Sequence, residues 1–524
     1  MKLARTLALL TAALLAATAC GTTVPPEVQQ QIQQASGNEL GISTATTAPG
    51  LPPGAHVNAK GQVVNAQGEV IGDAEDFGLS AGPSGSGGAP GGVGNATGPA
   101  GAGSGSGGGG EGAAAAGPGV TASKIYIGVP WSDAGAANEA FTGAQLNSDA
   151  RKPYDAMIEE INKAGGIAGR QVAPIYKEVS ATSSETSDQQ DQAACSRWTQ
   201  DYKVFAMVAA SDILRECAEK AGAVTLSPVS VSVPEDFQRY PHYVEISGMD
   251  LYRVGDVTVT GLDREGYFSG GAKLGVVLWD EPNYRAALEN GYMPALRKRG
   301  IRLATEPAYI SSPQTADDLA AASADVNNAV LRFQSQGITH VLLLDGNTPL
   351  CRGACLGTLF LRRAESQAYR PRYGFNPGNS PAAAQEAGLY PSEQLRRSIS
   401  VEWTDADEAA DEGWRLNKAR ERCYEIMRKH NVPLGNANEQ ADARSACQTL
   451  WFLQMVINVK MPGDVINADA FIQGVNALGW GFASPTSYAV HFSPTQHDGI
   501  AAARNMKYVT SCECYRYVTD PYRV

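Results

Sequence analysis

Histidine is scarce in this chain of 524 residues: there are six, and they stand singly. That leaves little from which to assemble a histidine metal site or a general-base dyad. No Walker-type phosphate loop or His-Glu-x-x-His helix occurs, and the Gly-x-Ser-x-Gly match at Gly78-Leu79-Ser80-Ala81-Gly82 lies in a Gly/Ser-rich stretch without the strand-to-helix context of a nucleophile elbow. The common hydrolase, nucleotide-hydrolysing and metalloprotease chemistries therefore lack their groups, and the reading is a protein that is not an enzyme and carries no metal or cofactor. Positive charge is also in deficit, with 42 Lys and Arg against 54 Asp and Glu, a net charge of -12. Such a surface argues against nucleic acid and against an electrostatic grip on anionic lipid. Beyond the first twenty residues no apolar run is long enough to span a bilayer.

What is present begins at the N-terminus. Lys2 and Arg5 precede the apolar run Leu7–Ala17, and Ala17-Thr18-Ala19-Cys20-Gly21 follows. A short positive region, a short apolar core and small residues make an export signal. The segment resembles the lipobox of bacterial lipoproteins, with Ala17 standing where leucine is usual. The resemblance implies cleavage before Cys20, lipidation of its sulfur, and anchoring to the outer face of the cytoplasmic membrane; an ordinary secretory signal cut after Ala19 is the second reading. Of nine cysteines, setting Cys20 aside leaves an even number, which in an oxidising compartment reads as disulfides. Cys195 and Cys217 fall on successive predicted helices that a right-handed βαβ arrangement makes neighbours. Cys423 and Cys447 fall on successive predicted helices joined by the polar loop around Asn431–Asn438. For Cys351, Cys355, Cys512 and Cys514, local pairs, cross-pairs and a four-thiolate zinc site stay open, with disulfides favoured.

Residues 21–122 are rich in Gly, Ala, Ser and Pro and nearly free of aromatics. They cannot bury enough apolar surface to offset chain entropy, so the reading is a disordered linker. The repeat Val57–Val63 and Val64–Val70 within it reads as incidental, because a lone two-stranded hairpin is marginal in water. From Thr121 onward, apolar strands alternate with amphipathic helices: strands at 124–130, 171–179, 204–210, 224–227, 273–279, 303–310 and 340–344, helices between them. That alternation predicts an α/β fold with parallel sheets covered on both faces. About 400 residues exceed what one core usually serves, so two lobes are expected.

The segment Ile158-Glu159-Glu160-Ile161-Asn162-Lys163-Ala164-Gly165-Gly166-Ile167-Ala168-Gly169-Arg170 resembles the turn after the first helix in type I periplasmic binding proteins, in particular their leucine/isoleucine/valine-binding branch. Trp279-Asp280-Glu281-Pro282-Asn283-Tyr284 and His497-Asp498-Gly499 follow in the order that family gives. The resemblance implies two Rossmann-like lobes joined by a three-stranded hinge. Lobe one would be about 123–248 plus 402–480, and lobe two about 249–401 plus 481–524. It also implies a small-molecule ligand between the lobes, an ABC permease as partner, and amino acid transport as the process.

Open α/β sheets bind at the carboxyl ends of their strands. The residues there are Trp131, Ser211, Asp212, Ser230, Ser232, Asp280, Tyr284, Asp345 and Asn376, with Trp279 flanking. Helix capping is the competing role for each Ser, Asp and Asn in this set. The family resemblance gives Ser211, Ser230 and Ser232 to a ligand carboxylate, and Asp280 and Tyr284 to the ligand from lobe two. Asp212 would repel such a carboxylate, so a cationic, amide or polyol ligand is equally compatible. A ligand-sensing or assembly-forming surface lipoprotein is the alternative function, and a hydrolase built on Ser211 the third.

Overall fold

The computed structural model describes residues 116–131, 149–180, 183–315, 318–348, 351–352, 354–406, 409, 417–461 and 465–524, with three short strands between 56 and 73. Cys20, the segment read as an export signal and most of residues 21–115 lie outside these residues. Two compact units are distinguished, one holding residues 115–524 and the other 38–114.

The first lobe is built on five parallel strands: β1 (Lys124–Trp131), β2 (Gln171–Glu178), β3 (Ala206–Val208), β4 (Val224–Ser227) and β5 (Tyr243–Glu245), in the order β2-β1-β3-β4-β5. Apolar side chains fill them because helices cover both faces. Gly128 in β1 is required by packing: a Cβ there would lie 2.6 Å from the Trp198 ring, which is fully buried and donates its N–H to the Ile175 carbonyl at 2.9 Å. The glycine turn behaves as its sequence demands. Gly165 and Gly166 hold φ of 102° and 82°, the left-handed region that glycine enters cheaply. Arg170 then closes the turn with its Nε on the Thr121 carbonyl at 2.8 Å.

The second lobe holds β6 (Leu274–Trp279), β7 (Ala308–Ile310), β8 (His340–Leu344), β9 (Arg372–Phe375), β10 (Ile399–Glu402), β11 (Ala502–Val509), β12 (Cys514–Tyr517) and β13 (Tyr522–Arg523). The order is β7-β6-β8-β9-β10-β11-β12, with β13 also on β11. Strands β6 to β10 are parallel; β11, β12 and β13 return antiparallel. This departs from the all-parallel expectation, because the chain re-enters the lobe from the hinge and then forms a hairpin. Helices Lys418–Lys429 and Ala437–Met455 pack on helix Arg151–Lys163 of the first lobe.

Four further expectations are corrected. The strand expected over 303–310 reduces to Ala308–Ile310, with one bridge from Leu303 to Leu274. The helix expected over 283–299 carries a π-turn at Leu288–Tyr292. In the other unit the repeat is not incidental: His56–Val57, Gln62–Val64 and Val70–Asp73 pair as a three-stranded antiparallel sheet. A third strand supplies the pairing that a lone hairpin lacks. The folded domain also starts before residue 123, since Gly117 donates to the Ile466 carbonyl at 2.8 Å.

Disulfides join Cys195 to Cys217, Cys423 to Cys447 and Cys512 to Cys514, and Cys355 is also disulfide-bonded. The first closes a loop of 22 residues, for which the chain-entropy model gives about 3 kcal/mol. Replacing Cys195 and Cys217 together with serine should lower the unfolding free energy by about that amount in a denaturant titration. An unchanged transition would show that this bridge does not constrain the unfolded chain.

Candidate functional site

The three passages between the lobes fix where a site can lie. The first runs from β5 to helix Leu251–Arg264, the second from β10 to helix Lys418–Lys429, the third from helix Ala468–Asn476 to β11. They are stitched together. Asp498 of the third accepts the Asp250 N–H of the first at 2.8 Å and pairs with Arg253. Asp405 of the second pairs with Arg420 at 3.5 Å, both sides almost wholly buried, and donates its N–H to the Thr486 carbonyl of the third. Ser247, Ser484, Ser487 and Gln448 complete a buried polar cluster.

Beside the first passage lies the loop after β4. Ser230 Oγ accepts the Met249 N–H at 2.9 Å, and the Ser232 carbonyl accepts that of Leu251 at 2.7 Å. Asn283, opening the helix after β6, donates its Nδ2 to the Val231 carbonyl at 3.0 Å. The lobes therefore meet directly at this loop. Ser232 lies beneath it, fully buried: its Oγ bonds Glu245 and accepts from Arg215 at 3.0 Å. Its hydroxyl serves the interior of the lobe.

The other expected residues divide between capping and the cleft rim. Ser211 caps helix Asp212–Ala221, accepting the Leu214 N–H at 3.3 Å. Its hydroxyl also meets Asp191, whose carboxyl burial pushes above the ordinary range against that bond. Asp212 is exposed but paired with the buried Arg215, which offsets the repulsion expected of a lone carboxylate. Asp280 is exposed and paired with Arg285, whose guanidinium lies 4.0 Å from the centre of the Tyr309 ring. Trp131 carries Arg151 at 3.6 Å on its ring and borders a cavity of about 470 Å³ with Glu178 and Glu439. Ser132 and Asp133, which follow Trp131 at the same expected strand end, lie outside the described residues.

Tyr284, Asp345 and Asn376 are buried. Asp345 accepts Trp279 Nε1 at 3.0 Å and the N–H groups of Gly346 and Gly357 at 2.9 Å each. Burial nevertheless pushes its pKa up to about 6. Tyr284 packs under Gly346, where a Cβ would meet its hydroxyl at 2.3 Å, and burial raises that hydroxyl's pKa further. Asn376 caps the turn Pro377–Asn379 and donates to Tyr292 Oη at 3.0 Å. The structure thus brings Trp279, Tyr284 and Asp345 together at the end of the second sheet, and Ser230 and Ser232 together beside Asn283. It keeps Trp131 on a separate cavity.

Sequence reasoning missed Glu245. This last residue of β5 is fully buried, and its Oε1 accepts the Val231 and Ser232 N–H groups at 3.0 Å each and the Tyr243 hydroxyl at 2.9 Å. The available signal was an acid ending the apolar run Tyr243-Val244-Glu245, where burial forces a carboxylate to find donors. Burial pushes its pKa up to about 8.

Asp345→Asn tests the interior of the site. One acceptor oxygen is replaced by a donor beside N–H groups, so stability should fall by about 1–3 kcal/mol. The folded pKa of Asp345 is raised, so its contribution is present in acid and is lost as pH rises through about 6. The deficit of the variant should accordingly be larger at about pH 4 than at about pH 7. Denaturant titrations at both conditions decide; equal stability throughout would contradict the assignment.

No family model matches the sequence, and no curated protein matches it. Solved structures are similar in fold. A possible leucine/isoleucine/valine-binding protein from Rhodopirellula baltica SH 1 gives a TM-score of 0.54 at 11% identity, over 76% of this chain and 97% of its own. A fatty acid ABC transporter substrate-binding protein from Thermomonospora curvata gives 0.54 at 14%, over 78% and 95%. An ABC transporter solute binding protein from Rhodopseudomonas palustris HaA2, in complex with p-hydroxybenzoic acid, gives 0.54 at 11%, over 76% and 97%. Two doubly wound sheets joined by three passages, together with these likenesses, give the chain the fold of the type I periplasmic binding proteins.

Proposed function

We propose that this protein is an extracellular solute-binding protein that captures a small polar molecule between its lobes for an ABC importer. The observation that carries the reading is the meeting of the lobes at the loop 230–232, where Asn283 of one bonds Val231 of the other beside the first hinge passage. A ligand placed there touches both lobes and the hinge together, so binding and closure are coupled. The solved structures of similar fold bind solutes of several kinds, which supports solute capture. The cleft rim offers Ser230, Ser211, Asp212 and Asp280 as polar contacts, with Asp345 and Asn376 bracing the second sheet's end. Lipidation of Cys20, a linker leading to the folded domain, and the lobe boundaries read from the sequence belong to the same proposal, with Cys20→Ser expected to release the protein from membranes.

Native mass spectrometry of the protein purified from producing cells should show a bound small molecule, and returning that molecule to stripped protein should raise the unfolding midpoint. Asp280→Ala and Ser230→Ala should weaken its binding about tenfold to a hundredfold, the loss of about 1.5–3 kcal/mol expected for a charge-assisted contact. Tyr284 is buried, so Tyr284→Phe rather than alanine is the informative change there. Wild-type affinity in all three variants would place the ligand elsewhere; turnover of the molecule would refute the reading.

A further inference from the structure

The loop 230–232 is held by an acid of the protein's own. Glu245 Oε1 gathers the N–H groups of Val231 and Ser232 and the hydroxyls of Ser232 and Tyr243. Its Oε2 is buried without a hydrogen-bond partner. That oxygen faces the space left by Gly248, where a Cβ would lie 2.7 Å from Oε2 and 2.8 Å from the Val229 carbonyl. The same residue is built into the hinge through its backbone. Glu245 donates its N–H to the His497 carbonyl at 3.0 Å and accepts that of Gly499 at 2.8 Å. One residue thus joins a loop at the cleft, through its side chain, to the first and third hinge passages, through its backbone.

The charged and titratable groups around it do not neutralise an ionised Glu245 directly. Tyr243 donates from the same strand. Arg215 reaches only the intervening Ser232 hydroxyl and is itself paired with Asp212 and Asp236. Asp498, on the facing passage, adds like charge and is engaged by Arg253. Asp250 lies with that pair, and burial lowers the pKa of His497, disfavouring its charged form. An ionised carboxylate would have to leave Oε2 unsolvated in this setting, which a buried acid avoids by taking up a proton.

We propose that Glu245 is the positioning residue of the 230–232 loop, that the neutral acid holds the loop against the first hinge passage, and that ionisation releases it. Its consequence for capture rests on the solute-binding reading; the hold itself does not. Above the carboxyl's pKa the loop must part from the passage to hydrate Oε2, so the cleft face loses its fixed geometry. Glu245→Gln reproduces the neutral acid, with an oxygen for the same donors and no charge. Glu245→Ala removes the hold.

Hydrogen exchange of the full-length protein without added ligand reads this directly. The reporter is the peptide containing Val231 and Ser232, and the controls are peptides of β1 and β6. Relative to the controls, wild-type protection should fall roughly a hundredfold between about pH 6 and about pH 9, since linkage changes the opening equilibrium about tenfold per pH unit until the buried acid has ionised. Glu245→Gln should keep the protection across that range, and Glu245→Ala should lose it throughout. Protection independent of pH in the wild type, or a decline in Glu245→Gln matching the wild type, overturns the proposal. Should Glu245→Ala fail to fold, the other two proteins decide. The outcome does not depend on any solute, so failure of this hold and failure of the solute-binding reading are separable.

Discussion

The buried Arg420 guanidinium is the contact on which the arrangement of the lobes depends. It pairs with Asp405 of the second hinge passage and donates to the Pro485 carbonyl of the third at 2.8 Å. Two charges taken out of water are costly unless each finds its partner, so removing either side would leave a buried charge unpaired. The constraint is local and directional. It fixes two passages side by side, while the Asp498 and Arg253 pair fixes the third passage to the first. Motion of one lobe against the other must therefore work through short segments flanking these ion pairs, as a hinge does.

Around that fixed point the polar groups fall into two kinds. Ser211, Asp345 and Asn376 satisfy backbone N–H groups at the starts of helices and turns. They build the carboxyl edges of the sheets. Ser230, Asp212 and Asp280 stand nearer solvent, and the two acids are already paired with arginines. A solute approaching this rim meets balanced ion pairs and hydroxyls in place of a bare carboxylate. The negative charge of the whole chain is thus a poor guide to the charge that this rim presents.

Much of this architecture was legible in the sequence because its signals are local. Val224–Ser227 and His340–Leu344 are short runs rich in Val and Leu, and they are strands of those bounds. Gly165 and Gly166 mark a turn that needs positive φ. Cys195 and Cys217 stand on successive helices that the βαβ rule makes neighbours. What escaped the sequence depends on distant partners. Glu245 looks like any acid at a strand end until the loop 230–232 folds over it, and Ser232 looks like a ligand contact until Arg215 is seen beneath it. The antiparallel return of Ala502–Val509 depends on where the hinge delivers the chain. The small sheet between 56 and 73 needed a third strand that the two-fold repeat did not announce.

Closure of the two lobes on a captured solute is the claim on which the account stands, and an interlobe distance tests it most directly. Dyes placed through non-natural residues at exposed Gln192 of the first lobe and Glu289 of the second leave the disulfides untouched. Energy transfer between them should change in step with binding when the co-purified solute is returned to stripped protein, saturating at one molecule per chain. A distance that stays constant while the solute binds would contradict a clamp and leave the fold without the motion assigned to it.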